Sequence, residues 1–277
     1  MERVFVMKIE QVMSLLEKSV PDYLYKVIVP STGKEYTLKP MTVGMRKSIS
    51  KFALMDSRES AMNFQFAKLG LIRVLSDGTI TEKMVTEVDF VYLLCKIRQH
   101  NISERLMVTA TCPHCKKSFD YSIDFDAIEK KLRSYVFTQE SVDASVSDAL
   151  KIKLVLHDPR MSDILDMRYA LEQDSEKTEE EKDALYNLMH QYLYVKEIYV
   201  NDELLEDFSD KSIIDRTMFL EDLPGKSVYK ESSGLFNTVI EKFKANNRTL
   251  SPLQMIKCAH CDADIEGGLD TDDFFIL

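Results

Sequence analysis

Leu106-Met-Val-Thr-Ala-Thr-Cys112-Pro113-His114-Cys115-Lys-Lys-Ser-Phe119-Asp-Tyr-Ser-Ile-Asp-Phe125 is one of two stretches whose reading decides the fold. Its counterpart is Leu253-Gln-Met-Ile-Lys-Cys258-Ala259-His260-Cys261-Asp262. In each, apolar residues at strand spacing lead into a CxxC, and polar turn residues follow. A CxxC turn aims two thiolates at one point. Two such turns supply the four soft ligands of a tetrahedral Zn²⁺ site. Cys112, Cys115, Cys258 and Cys261 are therefore the candidate metal ligands. Four sulfurs fill a tetrahedron and leave no place for a water, so the pattern predicts structural rather than catalytic zinc.

The spacing is unusual. Zinc patterns normally hold some 15–20 residues between the two pairs. Here 142 residues, positions 116 to 257, lie between them. Either each pair acts alone, or a long segment is inserted between the halves of one ribbon. The second is the better reading, because an isolated CxxC lacks half a tetrahedron. The expected organisation is then an N-terminal hairpin and helical region over 1–105, a discontinuous ribbon from 106–125 and 253–270, and an α/β insertion over 126–252. Two other readings of the cysteines remain: buried reduced dithiols, and a redox CxxC. The redox motif places its first cysteine at a helix N-terminus, whereas turn or strand sequence follows Cys112 and Cys258. His114 and His260 lie inside the two turns and are expected at the surface or behind the ligands.

Outward from the cysteines, helix and strand periods alternate. Val27–Val29 and Tyr36–Leu38 read as strands around Pro30-Ser-Thr-Gly33. Thr42 is placed to cap a helix over about 43–55. Helices are also expected at about 1–18, 58–75 and 84–99, with Asp77-Gly78 turning the chain between the last two. Phe119 to Phe125 alternates as a strand. Asp120, Asp124 and Asp126 would then share one face, most simply a solvated one. Ile152–Leu156 and Lys196–Val200 read as strands, with Asn201-Asp202 as a turn. Residues 162–194 look helical around an acidic run from Glu172 to Asp183. Ser209 is a candidate cap for a helix through about Leu220, and another helix fits 232–245. Pro40-Met-Thr42 and Pro159-Arg-Met-Ser162 echo each other, each a strand followed by a capped helix. The predicted fold class is α+β: a mainly helical body with short antiparallel strands and a discontinuous four-cysteine zinc ribbon.

Composition narrows the function. The chain has 277 residues, 45% hydrophobic, with net charge −10. That apolar share suits a folded protein, while the acidic balance disfavours a generic nucleic-acid binder. No stretch approaches the roughly 20 apolar residues of a membrane span. No signal-peptide pattern is present, so a reducing cytoplasm is expected. No catalytic residue is predicted: GxSxG, HExxH and GxxxxGK[ST] are all missing. Cys95, on the apolar face Val91-Tyr-Leu-Leu-Cys95, reads as a core thiol.

Val29-Pro-Ser-Thr-Gly-Lys-Glu-Tyr36 followed by Leu38-Lys-Pro-Met-Thr-Val43 resembles the N-terminal hairpin-and-helix motif of T4-like phage baseplate hub subunits. Cys258–Cys261, the acidic tail and the terminal Asp273-Phe274-Phe275 resemble the end of zinc-knuckle members of that family. The resemblance implies a non-enzymatic structural or assembly protein of the central hub of a contractile tail baseplate. It implies other hub proteins, the tape-measure protein or the central spike as partners; the acidic balance leaves nucleic acid out of the expected partners. The protein would act in the host cytoplasm during assembly and in the virion tail baseplate. The alternative is a zinc-ribbon nucleic-acid-binding or regulatory protein, and a third reading is a dithiol oxidoreductase.

Overall fold

Alternating burial builds the first element. In a computed structural model of the chain, Tyr25, Val27, Val29 and Leu38 turn inward from an antiparallel hairpin. The hairpin pairs β1 (Tyr25–Ile28) with β2 (Glu35–Leu38), in the register Tyr25 opposite Leu38. Gly33 turns it at φ +64°, a value open to glycine at no steric cost. The structure describes residues 24–53, 58–135, 137, 139–143, 151–174, 176–222, 240, 243, 254–267 and 273–275. The expected helix over 1–18 lies outside them, as does most of the one over 232–245.

Three helices follow the hairpin: α1 (Val43–Ala53), α2 (Arg58–Leu75) and α3 (Glu87–Asn101). Thr42 does cap α1, its Oγ1 accepting from the Met45 N–H at 3.2 Å. Asp77 and Gly78 both take positive φ in the expected turn. The third helix begins at Glu87 rather than near 84, because Thr86 and Asp89 close a capping box there. The Asp89 carboxylate is fully buried. It also accepts the Ser31 N–H at 2.9 Å and the Ser31 hydroxyl, tying the first hairpin to the start of α3.

The second hairpin, β3 (Leu106–Thr111) with β4 (Ser118–Ile123), carries the first CxxC at its tip. The alternation expected to Phe125 stops at Ile123. Asp124 becomes an N-cap, accepting from the Ala127 N–H at 2.9 Å, and opens α4 (Phe125–Arg133). Asp120, Asp124 and Asp126 therefore do not share a strand face. Asp120 accepts from Thr109, Asp124 caps, and Asp126 lies in the first turn of α4.

A four-stranded antiparallel sheet comes next, in the order β5 (Glu140–Asp143), β6 (Ile152–Leu156), β7 (Val195–Val200), β8 (Glu203–Asp207). Asn201 and Asp202 turn β7 into β8 at φ +52° and +67°, the left-handed pair a tight hairpin requires. Between β6 and β7 lie α5 (Met161–Gln173) and α6 (Glu179–Tyr192). The acidic run spans the end of α5 and the start of α6, where Glu179 to Glu181 form the first turn and Thr178 and Glu181 a capping box. Carboxylates there meet the positive end of the helix dipole. The echo at Pro159 is only partial, because Arg160 stands at the N-cap of α5 without a side-chain cap. Ser212, not Ser209, caps α7 (Ile213–Asp222), accepting from the Asp215 N–H at 3.1 Å.

The last elements are β9 (Gln254–Lys257) paired with β10 (Asp264–Gly267), and a single 3₁₀ turn, Asp273–Phe275. The class is α+β, helices with short antiparallel strands. The main core joins the first hairpin, α1 to α6, the start of α7 and the two terminal phenylalanines. A second core backs the four-stranded sheet with Tyr192, Phe208, Leu220, Ile240 and Phe243. A third, small cluster holds Cys112, Cys258 and Phe119.

Candidate metal centre

The two CxxC turns share the same backbone-to-backbone hydrogen bonds. In the first, the Cys112 N–H donates to the Lys117 carbonyl at 3.0 Å and the Lys116 N–H to the Cys112 carbonyl at 2.9 Å. In the second, the Cys258 N–H donates to the Ala263 carbonyl and the Asp262 N–H to the Cys258 carbonyl, each at 3.0 Å. Each turn bends back through one left-handed residue, Lys116 at φ +60° and Asp262 at +56°. Each joins strand residues that face one another, Thr111 with Ser118 and Lys257 with Asp264. Neither turn carries glycine at its left-handed position, so the sequence gives no glycine signal for this shared bend.

The tips meet. Cys112 Sγ lies 3.7 Å from Cys261 Sγ, and Cys115 Sγ lies 3.7 Å from Cys258 Sγ. All four sulfurs fall within 4.8 Å of one another. A tetrahedral centre with metal–sulfur bonds of about 2.3 Å has sulfur–sulfur edges of about 3.8 Å. The spacing therefore fits one cation. The first cysteine of each pair is buried, Cys115 is half-buried and Cys261 is exposed. Backbone N–H groups point at the sulfurs, from Cys115 to Cys112 Sγ at 3.5 Å and from His260 to Cys258 Sγ at 3.4 Å.

These dipoles divide the thiols. The Cys115 N–H, aided by that of His114, outweighs burial and brings the Cys112 thiol down to about 6. At Cys261 the Ala263 N–H lowers the value, but burial and the hydrogen bonds shared with the other three sulfurs outweigh it, pushing the thiol up to about 12. Metal binding takes thiolates as ligands and releases their protons.

The surroundings suit a closed site. Phe119, Tyr121, Ile256 and Ile265 pack beside the cysteines. The His260 ring reaches across to the Ser118 carbonyl, its Nε2 3.1 Å away. His114 is exposed. The remaining cysteine, Cys95, is far from this chemistry in character: it is buried on α3, and burial pushes its thiol up to about 12.

One set of contacts had no local signal in the sequence. The Arg98 guanidinium donates to the Phe274 carbonyl, and the Ser50 hydroxyl to the Phe275 carbonyl. Both phenylalanines are fully buried, and Phe274 meets Phe125 edge to face at 5.5 Å. Phe274 and Phe275 are visible in the sequence as an apolar pair. Their partners, 176 and 225 positions upstream, are not.

No helix among the described residues is long and apolar enough to cross a membrane. Comparison with curated proteins and with solved structures finds no match. Comparison with protein families does: the model described as T4 bacteriophage base plate protein matches residues 20–269, a span that includes both hairpin tips and the whole sheet between them. With nine-tenths of its length so matched, the chain belongs to the T4 bacteriophage base plate protein family.

Proposed function

We propose that the protein is a non-enzymatic component of the central hub of a contractile tail baseplate, stapled by one structural Zn²⁺ on Cys112, Cys115, Cys258 and Cys261. The observation that carries the baseplate role is the family match over residues 20–269. The hub assignment is supported by its likeness to hub subunits in the first hairpin and the Pro40-Met-Thr42 segment. The zinc reading is supported by four convergent thiols at tetrahedral spacing. The same reading treats 106–125 with 253–270 as one discontinuous ribbon and 126–252 as chain inserted within it. Zinc bound there would neutralise thiolate charge and join the hairpins. With four sulfurs as ligands it would activate no water.

On this reading the partners are other hub proteins, the tape-measure protein or the central spike. The protein meets them in the host cytoplasm during assembly and remains in the tail baseplate. Mass spectrometry of purified virions tests the second half: the chain is expected among the tail proteins. A deletion is expected to yield particles without functional baseplates, and normal tails from the deletion would reject the role altogether. The nucleic-acid alternative draws on exposed Lys116 and Lys117 beside the first knuckle. Against it stand the net charge of −10 and the exposed Asp262 and Asp264 beside the second. Filter binding at low salt is expected to show no retention.

A further inference from the structure

The C-terminal arm, described over residues 254–267 and 273–275, is fastened at two separate places. At one, Cys258 and Cys261 meet Cys112 and Cys115. At the other, Phe274 and Phe275 fill a pocket at the main core, with Arg98 of α3 and Ser50 of α1 holding their carbonyls. The first fastening sits at the tip of a small sheet of its own: β9 pairs with β10 and with no other described strand. Its knuckle meets the body through the sulfurs, the small cluster around Phe119 and the His260–Ser118 contact.

We propose that the arm is a latch with two catches, in which a metal on the four cysteines helps to keep Phe274 and Phe275 seated. This rests on the metal reading of the cysteines given above. The size of the linkage follows from chain length. With the clasp closed, the plug at Phe274 is tethered from Cys261, 13 positions before it. With the clasp open and its contacts to Phe119 and Ser118 released, the next described buried anchor upstream is Phe243, 31 positions before it. Loop-closure probability falls as length to the power 3/2, which makes reseating about fourfold less favourable. The arm then serves as a readout: metal loss at one end loosens an aromatic plug at the other and uncovers the surface between α1, α3 and α4. Linkage is reciprocal, so removing the plug weakens metal retention by the same factor.

Hydrogen exchange of the full-length protein, with and without a zinc chelator, tests the first direction. Exchange at Phe274 and Phe275 is expected to rise by up to about fourfold on chelation, while β6 in the four-stranded sheet keeps its protection. Equal rates at the plug with and without bound metal overturn the latch and leave the metal site standing. Failure to bind zinc at all, by elemental analysis after reconstitution, overturns both. If chelation unfolds the whole chain, the reverse direction decides. Phe274→Ala/Phe275→Ala is expected to lose zinc to a chromophoric chelator with an affinity about fourfold weaker than the parent, and unchanged affinity overturns the latch.

Discussion

Two buried polar residues, Arg216 and Asp89, and the half-buried His157 show how single side chains hold this fold. Arg216 is 3% exposed. Its guanidinium donates to the carbonyls of Leu193 and Phe208, each at 3.0 Å, and of Val195 at 3.3 Å, and it stacks on Phe208. It thus closes the C-terminal end of α6 and the entrance of α7 around one charge. Arg216→Ala removes the one side chain that ties these three carbonyls together and empties the space beside Phe208, and urea denaturation is expected to show a loss of about 3 kcal/mol. Asp89 plays the same part between the first hairpin and α3. His157 adds a pH dependence. Burial, then the positive charges of Arg216, Arg160 and Lys196, hold its imidazole down to about 4. Below its ordinary value near 6.5 the unfolded chain takes up a proton that the folded chain refuses until about 4. The unfolded state binds more protons in that window, so stability falls as pH drops through it. Wild type is expected to lose about 2 kcal/mol more than His157→Gln between pH 7 and pH 4.5, measured by urea midpoints at each pH.

At the scale of elements, the knuckles are strained at one residue each. Lys116 and Asp262 take left-handed backbone conformations that glycine adopts without penalty. Lys116→Gly is expected to stabilise the metal-free protein by about 0.5–1 kcal/mol, and Lys116→Val to destabilise it by a similar or larger amount, in thermal melts. Much of this level was legible in the sequence. Short apolar segments marked β1 to β3, β6 and β7, alternation marked β4, and Asp77-Gly78 and Asn201-Asp202 marked a helix–helix turn and the β7–β8 hairpin. The misses have physical causes. Ile123-Asp124-Phe125 continues an alternation, yet Asp124 is worth more as a helix cap than as a strand residue. β5 and β8 escaped because Glu140-Ser-Val-Asp143 and Glu203-Leu-Leu-Glu-Asp207 are mostly polar or exposed and owe their strands to pairing with β6 and β7. Ser209 and Ser212 are equivalent as caps in one dimension. Only the course of the chain after Phe208 selects Ser212.

At the scale of the molecule, the four cysteines could be picked out by type, but their meeting depended on everything between them. The convergence of Cys112 with Cys261 is set by where the sheet and α5 to α7 deliver the chain, which local pattern does not encode. The site should therefore behave as a fold-wide tie. Cys112→Ser is expected to lower bound zinc below one per chain by elemental analysis. It is also expected to destabilise the protein by several kcal/mol, since metal binding free energy is folding free energy. Thiol labelling offers a check within the same experiment. Cys95, fully buried, is expected to react only on unfolding, while the exposed Cys261 becomes open to the reagent once metal is removed.

The separation of the two knuckles has a bearing on how the protein is made. Synthesis delivers the chain from its N-terminus, so Cys112 and Cys115 emerge long before Cys258 and Cys261. During that interval the first hairpin tip presents two thiols and the pocket beside Arg98 has no plug. A chain terminated anywhere between 116 and 257 keeps both deficits permanently. Closure of the centre thus marks a chain read through to its last knuckle, and a baseplate that accepted only the closed form would exclude nonsense fragments without any separate proofreading step.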